Sequence, residues 1–107
     1  MGFAYYVTHQ YDQAIPAYRE ALRIQPENAA AWSELGSTYI QLHQYDQAIP
    51  AYREALRIQP EKAAAWYGLG GSYYFNGQQD KAREIYQTLR KLDPAMAEKY
   101  FNAFILP

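Results

Sequence analysis

The sequence predicts an all-α solenoid of stacked, antiparallel helix pairs, and three observations predict it. Residues 9–32 recur at 43–66, thirty-four positions later, and differ only where Asn28 becomes Lys62. Within each copy the apolar residues recur at helical spacing, as Trp32, Leu35, Gly36 and Tyr39 do at i, i+3, i+4 and i+7. Pro26, Pro60 and Pro94 punctuate the chain at the same interval. A unit repeating every 20–50 residues builds a linear stack, because one unit cannot bury its apolar face alone.

Each element follows from local signals. Ala29 to Leu42 reads as a helix, interrupted by His43-Gln44. Tyr45 to Ile58 reads as its partner, with Ala48, Tyr52, Ala55 and Leu56 on the inner face. Pro60 stops it, since proline lacks an amide hydrogen and disfavours helix in the residue before it. The same text predicts a helix from Tyr11 to Ile24. A degraded copy predicts one from Gln79 to Leu92, after a turn at Gly77-Gln78. A partial helix at about 1–8, one at about 63–76 and a last at about 95–106 complete about seven helices. Short links force neighbours to lie antiparallel. Pro16 and Pro50 fall inside the second helix of a pair. A helix capped by Asp12 or Asp46 would lose no amide bond there, whereas an earlier start would cost one bond and kink the helix.

The 107 residues form one domain, divided into a truncated first repeat (1–28), a second (29–62), a third (63–96) and a C-terminal capping helix (97–107). Half of the residues are apolar and a fifth charged, which argues against disorder. The formal charge of −1 supplies no field to gather nucleic acid or an anionic membrane, so neither is an expected partner. No apolar run reaches the roughly 20 residues of a membrane span. Cysteine is absent, which excludes disulfides and thiolate metal sites but selects no compartment. Tyrosine is the compositional outlier at twelve residues, and it serves both packing and recognition surfaces.

Trp32-Ser-Glu-Leu35-Gly36-Ser-Thr-Tyr39, then Ala48-Ile-Pro-Ala-Tyr52 and Pro60, resembles the tetratricopeptide repeat, with Tyr where that pattern has Phe. Trp66, Leu69, Gly70, Tyr73, Ala82, Tyr86 and Pro94 repeat it. Gly2, Tyr5, Ala14, Tyr18, Ala21 and Pro26 outline a first copy cut short. The resemblance covers essentially the whole chain. It implies a right-handed superhelix whose first helices line the concave side, and a protein- or peptide-binding scaffold without catalysis. The third copy departs from the pattern, with Leu89 for Ala55 and Arg90 for Leu56, so its interface is expected to pack differently, beside the capping helix.

The copies differ where that concave face is expected. Ser33, Glu34, Ser37, Ile40, Gln41 and Leu42 become Tyr67, Gly68, Gly71, Tyr74, Phe75 and Asn76, while Arg19, Glu20 and Arg23 of the partner helix are kept as Arg53, Glu54 and Arg57. Either the groove carries recognition, or a duplication or designed repeat has left differences without purpose. The expected groove residues are Phe3, Tyr6, Val7, Ser33, Ser37, Ile40, Gln41, Tyr67, Gly71, Tyr74 and Phe75, extended by Phe101 and Ile105 of the last helix. Family members that bind acidic chaperone tails clamp the carboxylate with Lys, Arg and Asn. Here Ser33, Ser37, Tyr67 and Gly71 hold the comparable places, so no carboxylate clamp is expected and the ligand is an apolar or aromatic peptide or helix.

Other signals point to structure. Gly68-Leu-Gly-Gly71-Ser lacks the lysine of a phosphate loop and follows no strand, and reads as a helix softened by glycine, open to a ligand backbone. His9 and His43 lie one repeat apart, roughly 10 Å or more, too far to share an ion. Arg23 and Arg57 follow Glu20 and Glu54 by three positions and read as solvated pairs; a phosphate- or RNA-tracking convex face, with Lys91 completing the ladder, is a weaker reading. No catalytic constellation and no cofactor site can be assembled. The ends look poorly capped, with Tyr11 and Tyr18 expected partly bare, and self-association through the ends is the alternative function.

Overall fold

The structure, a computed structural model, describes residues 10–106. It contains six α-helices: α1 (Tyr11–Ile24), α2 (Ala29–Gln41), α3 (Tyr45–Ile58), α4 (Ala63–Phe75), α5 (Gln79–Leu92) and α6 (Pro94–Tyr100), the last running into a π-helical turn at Phe101–Ile105. Among the described residues there is no strand, and no helix is long and apolar enough to cross a membrane. The partial helix expected at 1–8 lies outside the described residues.

Local chemistry sets the helix ends. Asn28 caps α2 by accepting the Ala31 N–H at 3.1 Å, and Asp93 caps α6 by accepting that of Met96 at 3.1 Å, with Pro94 in the first turn. The single change between the duplicated segments removes a side-chain cap: Lys62 precedes α4 and its side chain makes no capping bond, the Ala65 N–H donating to the Lys62 carbonyl at 3.0 Å instead. α2 and α4 close on His43 (φ 58°) and Gly77 (φ 81°) in the left-handed conformation. Helices α1 and α3 start at Tyr11 and Tyr45, after Gln10 and Gln44, so the earlier of the two expected starts holds. Pro16 and Pro50 lie inside, where the amide that would have reached the carbonyl four residues back is missing.

Consecutive helices pack antiparallel along a body of 36 × 24 × 20 Å. First helices also touch each other, α2 with α4 and α4 with α6. The layer formed by α2, α4 and α6 is therefore the inner one, and α1, α3 and α5 splay on the outside. One core runs through the stack: Tyr18, Leu22, Leu35, Tyr39, Tyr52, Leu56, Leu69, Tyr73, Ile85, Leu89 and Tyr100 are all buried in it. Tyr18 is thus not bare, contrary to expectation, because it packs with Ala14 and Leu22 into the same core as Leu35. Trp32 and Trp66 have matching surroundings, their indole N–H groups donating to the carbonyls of Pro26 (2.9 Å) and Pro60 (2.6 Å). The buried hydroxyls of Thr38 and Ser72 likewise donate to carbonyls four residues back, each at 2.8 Å.

The concave face as candidate functional site

Aromatic rings need space on a close-packed helix layer, and glycine supplies it. The ring of Tyr52 lies between Gly36 of α2 and Gly68 of α4, where a Cβ on either glycine would overlap it. Its hydroxyl meets Ser37 Oγ at 2.8 Å. Gly70 is pressed in the same way by Tyr100, and Gly71 lies under the ring of Phe104, 3.2 Å from where its Cβ would stand. The glycines of α4, expected to soften the helix toward a ligand backbone, receive tyrosine and phenylalanine rings of this chain instead.

Tyr67, Gly71, Tyr74 and Phe75 come together on the inner side of α4, around Phe104. Ring centroids lie 5.7 Å (Tyr67), 5.1 Å (Tyr74), 5.8 Å (Phe75) and 5.0 Å (Tyr100) from that of Phe104. Edge-on and tilted arrangements dominate, as ring quadrupoles favour. Phe75 stays 52% exposed and stacks on Tyr45 of the preceding pair at 5.2 Å. Tyr45 continues the strip to His43, whose Nδ1 lies 2.7 Å from the Tyr45 hydroxyl.

The α2 residues form a quieter part of the face. Ile40 packs on the core, Gln41 is exposed, and Ser37 is engaged by Tyr52. Ser33 Oγ is buried without a hydrogen-bond partner among the described residues. Phe3, Tyr6 and Val7 lie outside the described residues. Of the two residues expected to extend the face from the last helix, Phe101 turns instead to Tyr86 of α5, at 5.3 Å, and Ile105 packs partly buried against the core. Phe104, which sequence reasoning missed, takes the central place. The repeat register does not signal it, since thirty-four positions on from Tyr67 and Gly71 stand Phe101 and Ile105.

Charge on this face is sparse. Tyr100 is fully buried, donates its hydroxyl to the Ala82 carbonyl at 2.5 Å, and has its pKa pushed up by burial and, secondarily, by Tyr67. The ion pairs among the described residues lie on α1, α3 and the link between α1 and α2. Arg23 donates to Glu20 at 2.6 Å, and that hydrogen bond, reinforced by the guanidinium charge, holds the Glu20 carboxyl below its usual range. Arg57 pairs with Glu54 at 3.0 Å and with Glu27 of the preceding link at 3.1 Å. Arg23 and Arg57 thus meet carboxylates, as the i,i+3 spacing predicts.

The comparisons with known proteins carry the same pattern. Two tetratricopeptide repeat profiles match the chain, one over residues 34–97 and one over residues 1–61, each more than half of its length. The chain belongs to the tetratricopeptide repeat family. Its helix pairs form the all-α superhelical solenoid of that family. The second tetratricopeptide domain of human RPAP3, solved with the HSP70 peptide SGPTIEEVD, matches with a TM-score of 0.90 at 19% identity over 96% of this chain and 88% of that one. The first such domain of Spaghetti (RPAP3), bound to the HSP90 peptide SRMEEVD, matches with a TM-score of 0.85 at 20% identity over 95% and 86%. The MamA RS-1 ArsTM double mutant matches at 0.83 and 29% identity, over 88% of this chain but 53% of that one. A comparison with curated protein sequences finds no match.

Proposed function

We propose that this tetratricopeptide chain is a non-enzymatic protein-interaction scaffold that holds an apolar or aromatic peptide or helix on its concave face. The observation that carries the reading is the aromatic cluster on the inner side of α4, where Tyr67 and Tyr74 stand half-buried and Phe75 half-exposed. Ser33, Ser37, Ile40 and Gln41 extend the face along α2, and Phe3 and Tyr6 belong to its expected continuation. The peptides bound by the RPAP3 domains end in acidic residues. This chain places Ser33, Ser37, Tyr67 and Gly71 where a carboxylate clamp needs cations, so its ligand differs in chemistry. Binding draws on apolar burial, about 25 cal/mol per Å² before ordering costs, with tyrosine hydroxyls and Gln41 supplying hydrogen bonds.

The test is a pair of substitutions, Tyr67→Ala and Tyr74→Ala, in affinity capture from a native lysate, with circular dichroism to check the fold. Loss of capture with helicity kept is expected; capture unchanged in a folded double variant sinks the reading. A second reading, self-association through the ends, is favoured by the exposure of Ile24, in the first described helix, and of Leu106, the last described residue, each 65% accessible. Nucleic acid, membrane and cofactors have no place in either reading.

A further inference from the structure

The last described residues divide into two unlike halves. In α6, Ala97 and Tyr100 are buried, Asp93 caps the helix, and the Tyr100 hydroxyl is bonded to α5. That half is anchored. After Tyr100 the backbone leaves the α form: the Leu106 N–H reaches back five residues to the Phe101 carbonyl at 2.8 Å. Such widened turns are uncommon and cluster at functional positions. None of Phe101–Ile105 is fully buried, and Asn102, Ala103 and Leu106 are exposed. One side chain of this half sits at the centre of the concave aromatic cluster: Phe104, over Gly71 and among Tyr67, Tyr74 and Phe75.

We propose that residues 101–106 are a displaceable strap, and that the seat now filled by Phe104 takes an aromatic side chain from a helical partner. The occupant's chemistry is read from the seat. It accepts a phenyl ring presented by a helical turn, edge-on to Tyr67 and Phe75, over Gly71, where a Cβ would stand 3.2 Å from the ring. A helix carrying Phe followed by aliphatic residues, as Phe104-Ile105-Leu106 does, reproduces those contacts. The anchored half keeps α4 and α5 covered when the strap leaves, because Tyr100 fills the space over Gly70 and is bonded to the Ala82 carbonyl, and its ring loses only the edge contact with Phe104. This inference rests on the concave-face reading and names the ligand's form and its gate.

The probe is a labelled synthetic peptide copying residues 97–106, followed by fluorescence anisotropy on the full chain. Phe104→Ala empties the seat, and this variant is expected to bind the peptide at least tenfold more tightly than the wild type. A control peptide carrying Phe104→Ala should not bind. Equal affinity of variant and wild type, or equal binding of the control peptide, overturns the proposal. Hydrogen exchange on the wild-type chain needs no variant to fold: saturating peptide should speed exchange of the chain's own amides at 104–106 by displacing them. Exchange that slows or stays unchanged overturns the proposal. Peptide binding that depends on Phe104 without any captured partner would sink only the wider scaffold reading. Partner capture that depends on Tyr67 and Tyr74 but leaves 101–106 in place would sink only the strap.

Discussion

Gly68 lies where the Tyr52 ring comes to rest, and that contact reverses the usual sign of a glycine substitution. In an ordinary helix interior Gly→Ala stabilises by about 1 kcal/mol. Here the added methyl overlaps a ring that is buried and fixed through Ser37. Gly68→Ala is therefore expected to destabilise by about 1–3 kcal/mol, as overpacked cores do, read as a lower urea midpoint. A raised midpoint would mean that Tyr52 has room to move. Tyr100 makes a second residue-scale prediction. Its pKa is raised in the folded chain above its ordinary value of about 10, so its neutral hydroxyl favours folding. That contribution is complete below about pH 10 and is lost as pH climbs through the folded value. The melting temperature should fall more steeply above pH 10 in the wild type than in Tyr100→Phe, which lacks the titrating group and the bond to Ala82. Parallel alkaline limbs would show that Tyr100 does not couple to folding.

At the scale of helices, the duplicated segments form an internal experiment with one variable. Asn28 caps α2 and Lys62 leaves α4 without a side-chain cap, although the helices begin at equivalent places. Lys62→Asn should give the Ala65 amide the side-chain acceptor that Ala31 has, in place of the backbone carbonyl it now uses, and add up to about 1 kcal/mol, seen as a higher urea midpoint; no gain would mean that the backbone bond already serves this helix start. Boundaries were legible because caps, left-handed turns and prolines act within a few residues of each end. Tyr11–Ile24, Tyr45–Ile58 and Gln79–Leu92 fall as the sequence predicts. The last helix was less legible. Its π turn changes the phase of the side chains that follow, so Phe104 faces α4 while Phe101 meets Tyr86.

The whole molecule is a short stack whose inner helices touch and whose outer helices splay. Splaying opens a cleft of about 560 Å³ between α1 and α3, floored by Trp32, Leu35 and Tyr39. In the next interval Ile85 replaces Ala51, and Lys81 lies 5.5 Å above the Tyr73 ring. Light scattering over a wide concentration range tests the behaviour of the ends. Association that rises with concentration and weakens on Ile24→Glu supports the self-associating reading, whereas a monomer at every concentration removes it.

By itself the sequence determined the architecture. A period of thirty-four residues with matched tryptophans, tyrosines and stop prolines leaves helix pairs no way to bury their apolar sides except against the next pair. It also placed Tyr67, Gly71, Tyr74 and Phe75 on one face, since helical spacing fixes which residues share a side. Only the tertiary structure decided what those residues touch. Tyr52 reaches across to a glycine of the following repeat, and Phe104 folds back onto α4. Contacts between units depend on how far apart helix axes settle and how their ends turn, and no periodicity within one unit encodes that.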